Sequence, residues 1–473
     1  MLKRLRIKNF RSIQNTEMSF APSGLTVLIG ANGSGKSNII RSLDFVGTVA
    51  RDGLAAALNT QRTREALLPK ALSRRELRDA QTILEYEFEF PNPTWYPNNE
   101  PPLSVRHRLA LGPSAGVHMA RLATESLQFG NPLVAQYYFD KEQRRRSPEL
   151  PPAFRESSFA LVRTDVGSIT FRATPSIDEF PELFLGWLGL QFLATAPRDE
   201  STPSIEMQLQ QLLARLDESG RPTTNATAES PTEVSRFRDS FLTSKYGGAL
   251  SLCSEATAFR ENIAAIKRYD LQLVELRREQ DVRTDDTMTS DGGGLPSAMR
   301  QLRANDDKSS WQRLTSTLHA IAPHIVNASV SKLRNGKEFV KFLEERLDRP
   351  VESWESSDGT LRALAILLAL EDPSAGVILI EEPEIGLHPW AVRILISHMR
   401  AVVSERNLQV VLTTHSPHVL ESVEPDEVVL VTRDESGTVI RSLREAAPLA
   451  KLEMGEVGRL WVSGLLGAVP GAE

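Results

Sequence analysis

Eight residues near the amino terminus constrain the fold more than any other feature of the chain. Gly30–Ser37 reads Gly-Ala-Asn-Gly-Ser-Gly-Lys-Ser and fits the pattern G-x-x-x-x-G-K-[ST]. The motif follows the apolar run Leu25–Ile29 and precedes apolar residues at helical spacing, which predicts a buried strand, a phosphate-binding loop and a helix in that order. A plain glycine-rich turn explains the residues less well, because the strand and the helix stand where a phosphate loop needs them.

The chemistry of this loop predicts a bound nucleotide. Glycines let backbone amides point inward around a β-phosphate, and the amino terminus of the following helix adds positive potential. We expect Lys36 to reach the β- and γ-phosphates and the Ser37 hydroxyl to bind magnesium, so the predicted cofactors are ATP and Mg²⁺. The predicted nucleotide-binding residues of the loop are Gly30, Asn32, Gly33, Ser34, Gly35, Lys36, Ser37 and Asn38.

Two adjacent carboxylates follow a second apolar segment. Val377–Ile380 is a continuous apolar run that ends in Glu381 and Glu382. Since neighbouring residues of a strand face opposite sides, we expect Glu381 near the magnesium ion and Glu382 beside an attacking water. Taken alone, the pair fits a solvated strand end equally well, and it is the phosphate loop elsewhere in the chain that favours the catalytic interpretation.

A histidine follows a third apolar segment. Gln409–Leu412 is succeeded by Thr413-Thr414-His415-Ser416. The carboxyl ends of parallel strands meet at one edge of a sheet, so His415 is expected to hydrogen-bond a γ-phosphate or the water that attacks it. A lone histidine at a strand end is usually structural, but beside the other two elements Glu382 and His415 are the predicted catalytic residues.

The fourth element, Ser356–Thr360, reads Ser-Ser-Asp-Gly-Thr and stands directly before an apolar helical segment, Leu361–Leu370. Serine and glycine at the start of a helix either cap it or bind an anion. In isolation the sequence favours a simple amino-terminal cap.

Together these four elements resemble the ABC-type ATPase heads of SMC and RecF proteins. They are more closely similar to a group of stand-alone bacterial AAA-family ATPases related to the OLD proteins. Three further segments contribute to the resemblance: Asn9–Ser12, the loop Pro383–Pro389 after the carboxylates, and the closing run Gly455–Gly464. The fold class implied is α/β, an ABC-type P-loop NTPase head with a mixed sheet, an antiparallel β meander and an inserted helical lobe.

The resemblance also implies roles for residues that their spacing alone does not assign. Arg11 corresponds to a residue that contacts nucleotide phosphates. Ser357 and Gly359 lie where the family has its signature motif, which meets the γ-phosphate held by an opposite subunit. His415 matches the switch histidine, and the loop Pro383–Pro389 matches a segment at the dimer interface. Two copies are therefore expected to clamp ATP between them, as a dimer or within a larger assembly.

The chain departs from the family pattern in three respects. Glu381 stands where many ABC proteins have aspartate, and Thr360 replaces the usual glutamine of the signature. The glutamine loop has no definite position, since Gln81, Gln136 and Gln191 are all candidates.

Composition narrows the class of protein. The chain has 473 residues, 41% of them hydrophobic and 25% charged, with a net charge of −6 and a single cysteine, Cys253. One cysteine forms no internal disulfide, and no apolar run approaches the length of a bilayer span. These features predict a cytoplasmic protein without a membrane partner. Local basic clusters still allow nucleic acid as a partner; they comprise Lys3, Arg4, Arg6 and Lys8; Arg74, Arg75 and Arg78; Arg144, Arg145 and Arg146; and Lys332, Arg334, Lys337 and Lys341.

Periodicity along the chain divides it into parts. Strand-like segments in residues 1–175 and strand–helix alternation in residues 305–445 predict one discontinuous ATPase core. Residues 176–304 are mainly helical in pattern and predict an inserted lobe. Residues 446–473 predict a short helical tail.

The biological role follows from resemblance alone. Stand-alone ATPases of this group resemble those of the Septu and PARIS antiphage systems, which implies a sensor ATPase with a separate nuclease or toxin as effector. The alternative is a RecF-like DNA-binding ATPase in repair, with the basic clusters as the contact surface. A transporter subunit fits less well, because the lobe between phosphate loop and signature is too large.

Overall fold

The computed structural model describes residues 1–60, 66–73, 75–90, 99–113, 120–134, 152–164, 169–177, 254–283, 287–304, 308–434, 437–443 and 455–466, with a few single positions between 136 and 209. It divides the chain into two compact units. The first comprises Met1–Ser19 and Phe45–Ala264, and the second comprises Phe20–Asp44 and Ala265–Glu473.

The first unit contains a seven-stranded antiparallel sheet in the order β2-β1-β4-β5-β6-β7-β8. Its strands are β1 (Leu2–Phe10), β2 (Ile13–Ser19), β4 (Thr82–Glu89), β5 (Ser104–Pro113), β6 (Ala120–Gly130), β7 (Ser158–Thr164) and β8 (Ile169–Thr174). Burial alternates strictly along β4, as expected for strands with one face on a core. The predicted antiparallel meander is confirmed. The helices α2 (Leu54–Asn59), α3 (Glu76–Asp79) and α4 (Ser254–Ala264) belong to the same unit.

The second unit is built on a six-stranded mixed sheet in the order β16-β15-β3-β14-β13-β9. Its strands are β3 (Leu25–Ile29), β9 (Ile266–Tyr269), β13 (Val377–Glu381), β14 (Gln409–Thr414), β15 (Val428–Asp434) and β16 (Gly437–Ser442). β9, β13, β14, β3 and β15 run parallel, and β16 pairs antiparallel with β15. Every residue of β3 and β14 is buried, which explains their continuous apolar sequences.

A smaller antiparallel sheet in this unit consists of β10 (Ile325–Lys332), β11 (Glu338–Glu344) and β12 (Val351–Glu352). The helices are α1 (Lys36–Asp52), which begins in this unit, then α5 (Leu273–Arg277), α6 (Leu295–Ala304), α7 (Lys308–Ile321), α8 (Asp358–Leu370), α9 (Pro389–Arg406), α10 (Pro417–Leu420) and α11 (Glu456–Val462). α8 is apolar nearly all round, and ten of its thirteen residues are buried in the core with the parallel strands.

The fold departs from the sequence-based division in two places. β9 pairs with β13, so residues from 265 onward lie in the phosphate-loop unit and not in a helical insert that extends to residue 304. The segment Val134–Phe139 is predicted as a strand of the antiparallel meander, but Val134 and Gln136 are helical. Most of the predicted insert, 176–304, and most of the predicted tail, 446–473, lie outside the described residues. Among the helices that are described, none is long and apolar enough to cross a membrane.

Candidate active site

The phosphate loop lies between the carboxyl end of β3 and the first residue of α1. Gly30 begins it at a position where a side chain does not fit, since an added Cβ would stand 2.0 Å from the carbonyl oxygen of Val431. The backbone of Ser34 is fixed from the neighbouring strand, because Thr438 Oγ1 donates to its carbonyl oxygen at 2.8 Å. The loop is therefore a shaped turn held against β15 and β16.

Lys36 folds back over the loop that precedes it. Its Nζ donates to the carbonyl oxygens of Gly30, at 2.7 Å, and Ala31, at 3.1 Å. Burial lowers the pKa of Lys36 to about 8, and the carboxylates of Glu382 and Glu381 oppose that shift. The ammonium group is thus held beside the loop and in the field of both predicted acids.

Ser34 presents a buried hydroxyl within the phosphate loop. Ser34 Oγ is shielded from solvent and has no hydrogen-bond partner among the residues that the structure describes. A buried polar atom without a partner is costly unless a ligand supplies the bond. This hydroxyl lies beside the amino terminus of α1, where the helix field is positive, so it suits a phosphate oxygen.

Glu381 is the last residue of β13 and forms an ion pair. Arg268, on the neighbouring strand β9, donates to Glu381 Oε1 from Nη2 at 2.9 Å and from Nε at 3.2 Å. Sequence reasoning missed Arg268, because the pair joins residues far apart in the chain.

Glu382 adopts a backbone conformation that is unusual for a residue with a side chain. Its φ is +48°, in the left-handed region. Its amide donates to the carbonyl oxygen of Thr413 at 2.9 Å, which ties it to the end of β14. The side chain is 40% exposed. The chain thus turns sharply after β13 and leaves this carboxylate accessible at the carboxyl edge of the sheet.

His415 stands directly after β14 and faces Glu382. Its Nε2 lies 4.0 Å from Glu382 Oε1. Burial and the nearby Lys36 lower the pKa of His415, while Glu382 opposes the shift, so the neutral imidazole is favoured. The structure therefore brings together Lys36, Glu382 and His415, as the sequence predicts.

Glu384 supports this histidine, and the sequence analysis did not identify it. Its Oε1 accepts hydrogen bonds from Thr414 Oγ1 at 2.6 Å and from the His415 amide at 3.2 Å. Its buried Oε2 has no partner among the described residues. Burial raises the pKa of Glu384 and the charge of Glu382 adds to that rise, while the bond from Thr414 opposes it.

The predicted signature segment forms the amino terminus of α8. Ser357 is the cap, and its Oγ accepts from the Thr360 amide at 3.2 Å. A Cβ on Gly359 would stand 2.3 Å from the carbonyl oxygen of Gly386, so the segment packs closely on the loop that follows the carboxylates. The simple amino-terminal cap is therefore present.

Arg277, a second residue missed by sequence reasoning, holds this segment from α5. Nη1 donates to the carbonyl oxygen of Trp354 at 3.1 Å, and Nη2 donates to the carbonyl oxygen of Ser356 at 3.0 Å and to the carboxylate of Asp358. Three contacts from one guanidinium fix the shape of the loop before the helix.

Arg11 and the candidates for the glutamine loop are not part of the second unit as the structure describes it. Arg11 belongs to the other compact unit, where its amide donates to the carbonyl oxygen of Leu67 at 2.6 Å. Gln81, a candidate for the glutamine loop, is also in that unit, and its carbonyl accepts a hydrogen bond from Asn9. Gln136 lies in a helical stretch, and Gln191 lies outside the described residues.

The donors near the loop fit a magnesium ion that arrives with a nucleotide. Ser37 presents a hydroxyl in the first turn of α1, and Glu381 presents a carboxylate at the end of β13. Hard oxygen ligands of this kind suit Mg²⁺, which usually takes only one or two protein ligands beside phosphate oxygens and water.

The fold and site define a P-loop ATPase of the ABC type. Residues 140–421 match the family described as "AAA domain, putative AbiEii toxin, Type IV TA system", and residues 1–89 match the family described as "AAA ATPase domain". The first match covers more than half of the chain, so the protein belongs to that family. Membership of this family and the phosphate loop together indicate a P-loop ATPase.

Curated relatives match over short stretches. The chain is 46% identical over 46 residues to the OLD nuclease of Thermus scotoductus, a match that covers 10% of this chain and 8% of the nuclease. It is 44% identical over 45 residues to the DNA double-strand break repair Rad50 ATPase of Methanococcus maripaludis, covering 10% and 4%. It is 44% identical over 46 residues to the DNA replication and repair protein RecF of Salmonella arizonae, covering 10% and 13%. The matches span only a small part of each relative.

Solved structures resemble the chain over most of its length. The Smc head domain with a coiled coil and joint of Pyrococcus yayanosii is 11% identical, with a TM-score of 0.43, and the match covers 98% of this chain and 99% of that one. The SMC head domain of Thermotoga maritima is 12% identical, with a TM-score of 0.36, covering 93% and 98%.

Proposed function

We propose that two copies of the chain close on Mg²⁺-ATP, with the phosphate loop of one copy and the Ser357–Gly359 segment of the other on either side of the nucleotide. The observation that carries the proposal is the convergence of Lys36, Glu382 and His415 at one edge of the six-stranded sheet. The involvement of a second copy is inferred from the family resemblance, because the signature motif of such heads contacts the nucleotide held by the opposite subunit.

The residues divide the work of hydrolysis. Loop amides and Lys36 bind the β- and γ-phosphates, and Ser37 and Glu381 hold the metal, which supplies charge neutralisation on the phosphate oxygens. Glu382 accepts a hydrogen bond from the attacking water, and its exposed carboxylate is free to reach it. His415, kept neutral by its surroundings, donates to the γ-phosphate. Hydrolysis removes the group that both copies share, and the dimer opens.

The biological role we propose is that of a sensor and regulatory ATPase in a bacterial antiphage defence module, with a separate nuclease or toxin as effector. The family description names a putative toxin of a type IV toxin–antitoxin system, and this supports a role in a bacterial defence or toxin–antitoxin module. ATP-dependent closing and opening gives such a module a switch.

Direct binding to DNA receives less support. In two of the basic clusters, described side chains are paired with acids: Lys3 with Glu89, Arg4 with Glu17, and Lys332 with Glu338. Such pairing reduces the positive potential that nucleic acid requires. Arg74 and Arg144–Arg146 lie outside the described residues.

The closing mechanism is tested by light scattering on the purified protein and on Glu382→Gln, with and without Mg²⁺-ATP. We expect Glu382→Gln to lower turnover about 100-fold or more and to accumulate as an ATP-loaded dimer. The double variant Lys36→Ala, Glu382→Gln is the matched control and stays in its nucleotide-free state. A mass that ATP does not change, or normal turnover in Glu382→Gln, contradicts the proposal.

The biological role needs a separate test. Bacteria that carry the gene with its neighbours are expected to reduce phage plating, and Lys36→Ala should abolish that protection. If protection is absent while the ATP-bound protein binds duplex DNA with a steep dependence on salt, a repair role replaces the defence role.

A further inference from the structure

The metal-side acid already has a positive partner within the chain. Arg268 lies on β9, the outer strand beside β13, and pairs in register with Leu379. Both of its hydrogen bonds to Glu381 reach the same oxygen, Oε1. Arg268 and Glu381 are largely buried, with side-chain exposures of 16% and 18%. A pair this shielded interacts more strongly than one on the surface.

Arg268 also has two other acids within reach. The same Nη2 that contacts Glu381 donates to Asp270 at 2.7 Å. Nη1 lies 3.9 Å from a carboxylate oxygen of Asp44 on α1. One guanidinium therefore lies among three carboxylates, and of these Glu381 is the last residue of β13.

A divalent cation at Glu381 would change the balance of charge around Arg268. The metal and the guanidinium would compete for the same carboxylate, and at close range their like charges repel. After Arg268 leaves Glu381, its guanidinium can remain ion-paired with Asp270 and Asp44. Its displacement therefore does not leave a buried positive charge without a partner.

We propose that Arg268 is a resident counter-ion of Glu381, which a divalent cation displaces when it arrives with ATP and which Asp270 and Asp44 then retain. This inference rests on the proposed role of Glu381 as the metal-side acid. Arg268 is a positioning residue: it orients the acid before the nucleotide binds, and it opposes metal binding when no phosphates are present to help. It thereby sets the concentration of free metal that the enzyme requires.

The test measures metal affinity directly. Mn²⁺ serves as the probe, and its binding to the full-length protein with a non-hydrolysable ATP analogue is followed by electron paramagnetic resonance. Removal of the competing charge in Arg268→Met should tighten Mn²⁺ binding roughly tenfold. Arg268→Lys, which keeps the charge, should stay near the parent protein. Asp270→Asn, which removes one retaining acid, should weaken binding.

The double variant Arg268→Met, Asp270→Asn distinguishes two ways in which Asp270 could affect Mn²⁺ binding. Asp270 could act by pairing with Arg268, or it could attract the metal directly through its negative charge. In the Arg268→Met background, Asp270→Asn should reduce Mn²⁺ affinity by less than half as much as it does in the parent protein, because its effect acts through Arg268. If Arg268→Met binds Mn²⁺ with unchanged or weaker affinity, Arg268 does not compete with the metal and the inference is wrong. An Asp270→Asn effect that persists undiminished in the double variant also contradicts it.

One further variant distinguishes this failure from failure of the proposed function. Glu381→Gln should weaken Mn²⁺ binding strongly. If it does so while Arg268→Met shows no gain, only the counter-ion inference falls. If Glu381→Gln leaves Mn²⁺ affinity intact, then the assignment of the metal-side acid is itself wrong.

Discussion

A buried polar chain in the first unit and the buried polar groups beside the phosphate loop of the second unit differ in how their hydrogen bonds are satisfied. In the seven-stranded sheet, Tyr86 OH lies 2.6 Å from His107 Nδ1, and His107 Nε2 lies 2.6 Å from Glu125 Oε1, with His107 and Glu125 fully buried. At the carboxyl edge of the six-stranded sheet, Ser34 Oγ and Glu384 Oε2 are buried without partners among the described residues. A chain of satisfied groups stabilises a core, whereas unsatisfied groups beside a phosphate loop are left for a ligand.

The hydrogen-bonded chain Tyr86–His107–Glu125 in the first unit should therefore contribute to folding stability and not to ATP binding. Glu125→Leu removes the acid and strands His107 in the core, so we expect a loss of about 3–5 kcal/mol in the free energy of unfolding of that unit, measured by urea denaturation. Tyr86→Phe, which removes only the outer hydrogen bond, should cost about 1 kcal/mol. ATP affinity should be unchanged in both variants. An equal loss of ATP affinity would break the distinction between the units.

His398 extends the comparison to the core of the second unit, away from the loop. It is buried on α9, its Nδ1 lies 2.9 Å from Thr317 Oγ1, and burial lowers its pKa to about 4, with Glu371 opposing and Arg313 reinforcing the shift. Because the folded pKa is below the unfolded value, its contribution to stability is full above pH 6.5 and is lost as the pH falls towards 4. The loss should reach about 3 kcal/mol.

Chemical unfolding of the parent protein and of His398→Asn, at matched pH values between 7 and 4, isolates this contribution from other titrating groups. The difference between the two proteins should shrink steadily as the pH falls. A difference that does not change with pH would show that His398 is not held neutral.

Lys36 gives the smallest of these effects and the one most specific to the site. Its pKa of about 8 in the nucleotide-free protein should rise when phosphates bind, since negative charge favours the ammonium form. ATP affinity should then be constant below pH 8 and about tenfold weaker at pH 9 than at pH 7. Equilibrium binding of ATP measures this, and Lys36→Met should bind weakly at every pH without the slope. A slope retained in Lys36→Met would assign the titration to another group.

The sequence predicts most of the second unit because its signals are local. Each of these signals occupies a few consecutive positions: the phosphate loop, the apolar strands and the polar residues at the strand ends. Parallel strands have their carboxyl ends at the same edge of the sheet, so the fold itself brings these polar residues together. β9 escaped prediction because it has only four residues, and its centre is Lys267 and Arg268. A strand without an apolar run looks like part of the helices on either side of it.

Arg268 and Arg277 could not have been assigned in the same way. Arg268 meets Glu381 across 113 positions of sequence, and Arg277 meets Asp358 across 81. A charged side chain carries no periodic signal that names its partner, so only the fold reveals the pair. The helical Val134 illustrates a local error, since Pro132 favours the first turn of a helix over a strand.

The left-handed backbone of Glu382 has an evolutionary consequence. A residue with a side chain holds that conformation at a cost of about 1 kcal/mol, which glycine avoids and asparagine reduces. If Glu382 is the catalytic acid, as we propose, then hydrolysis requires a glutamate at a position where glycine would make the folded protein more stable. In a related protein that keeps ATP-dependent dimer formation and loses hydrolysis, glycine or asparagine should replace glutamate at this position, and the melting temperature should rise.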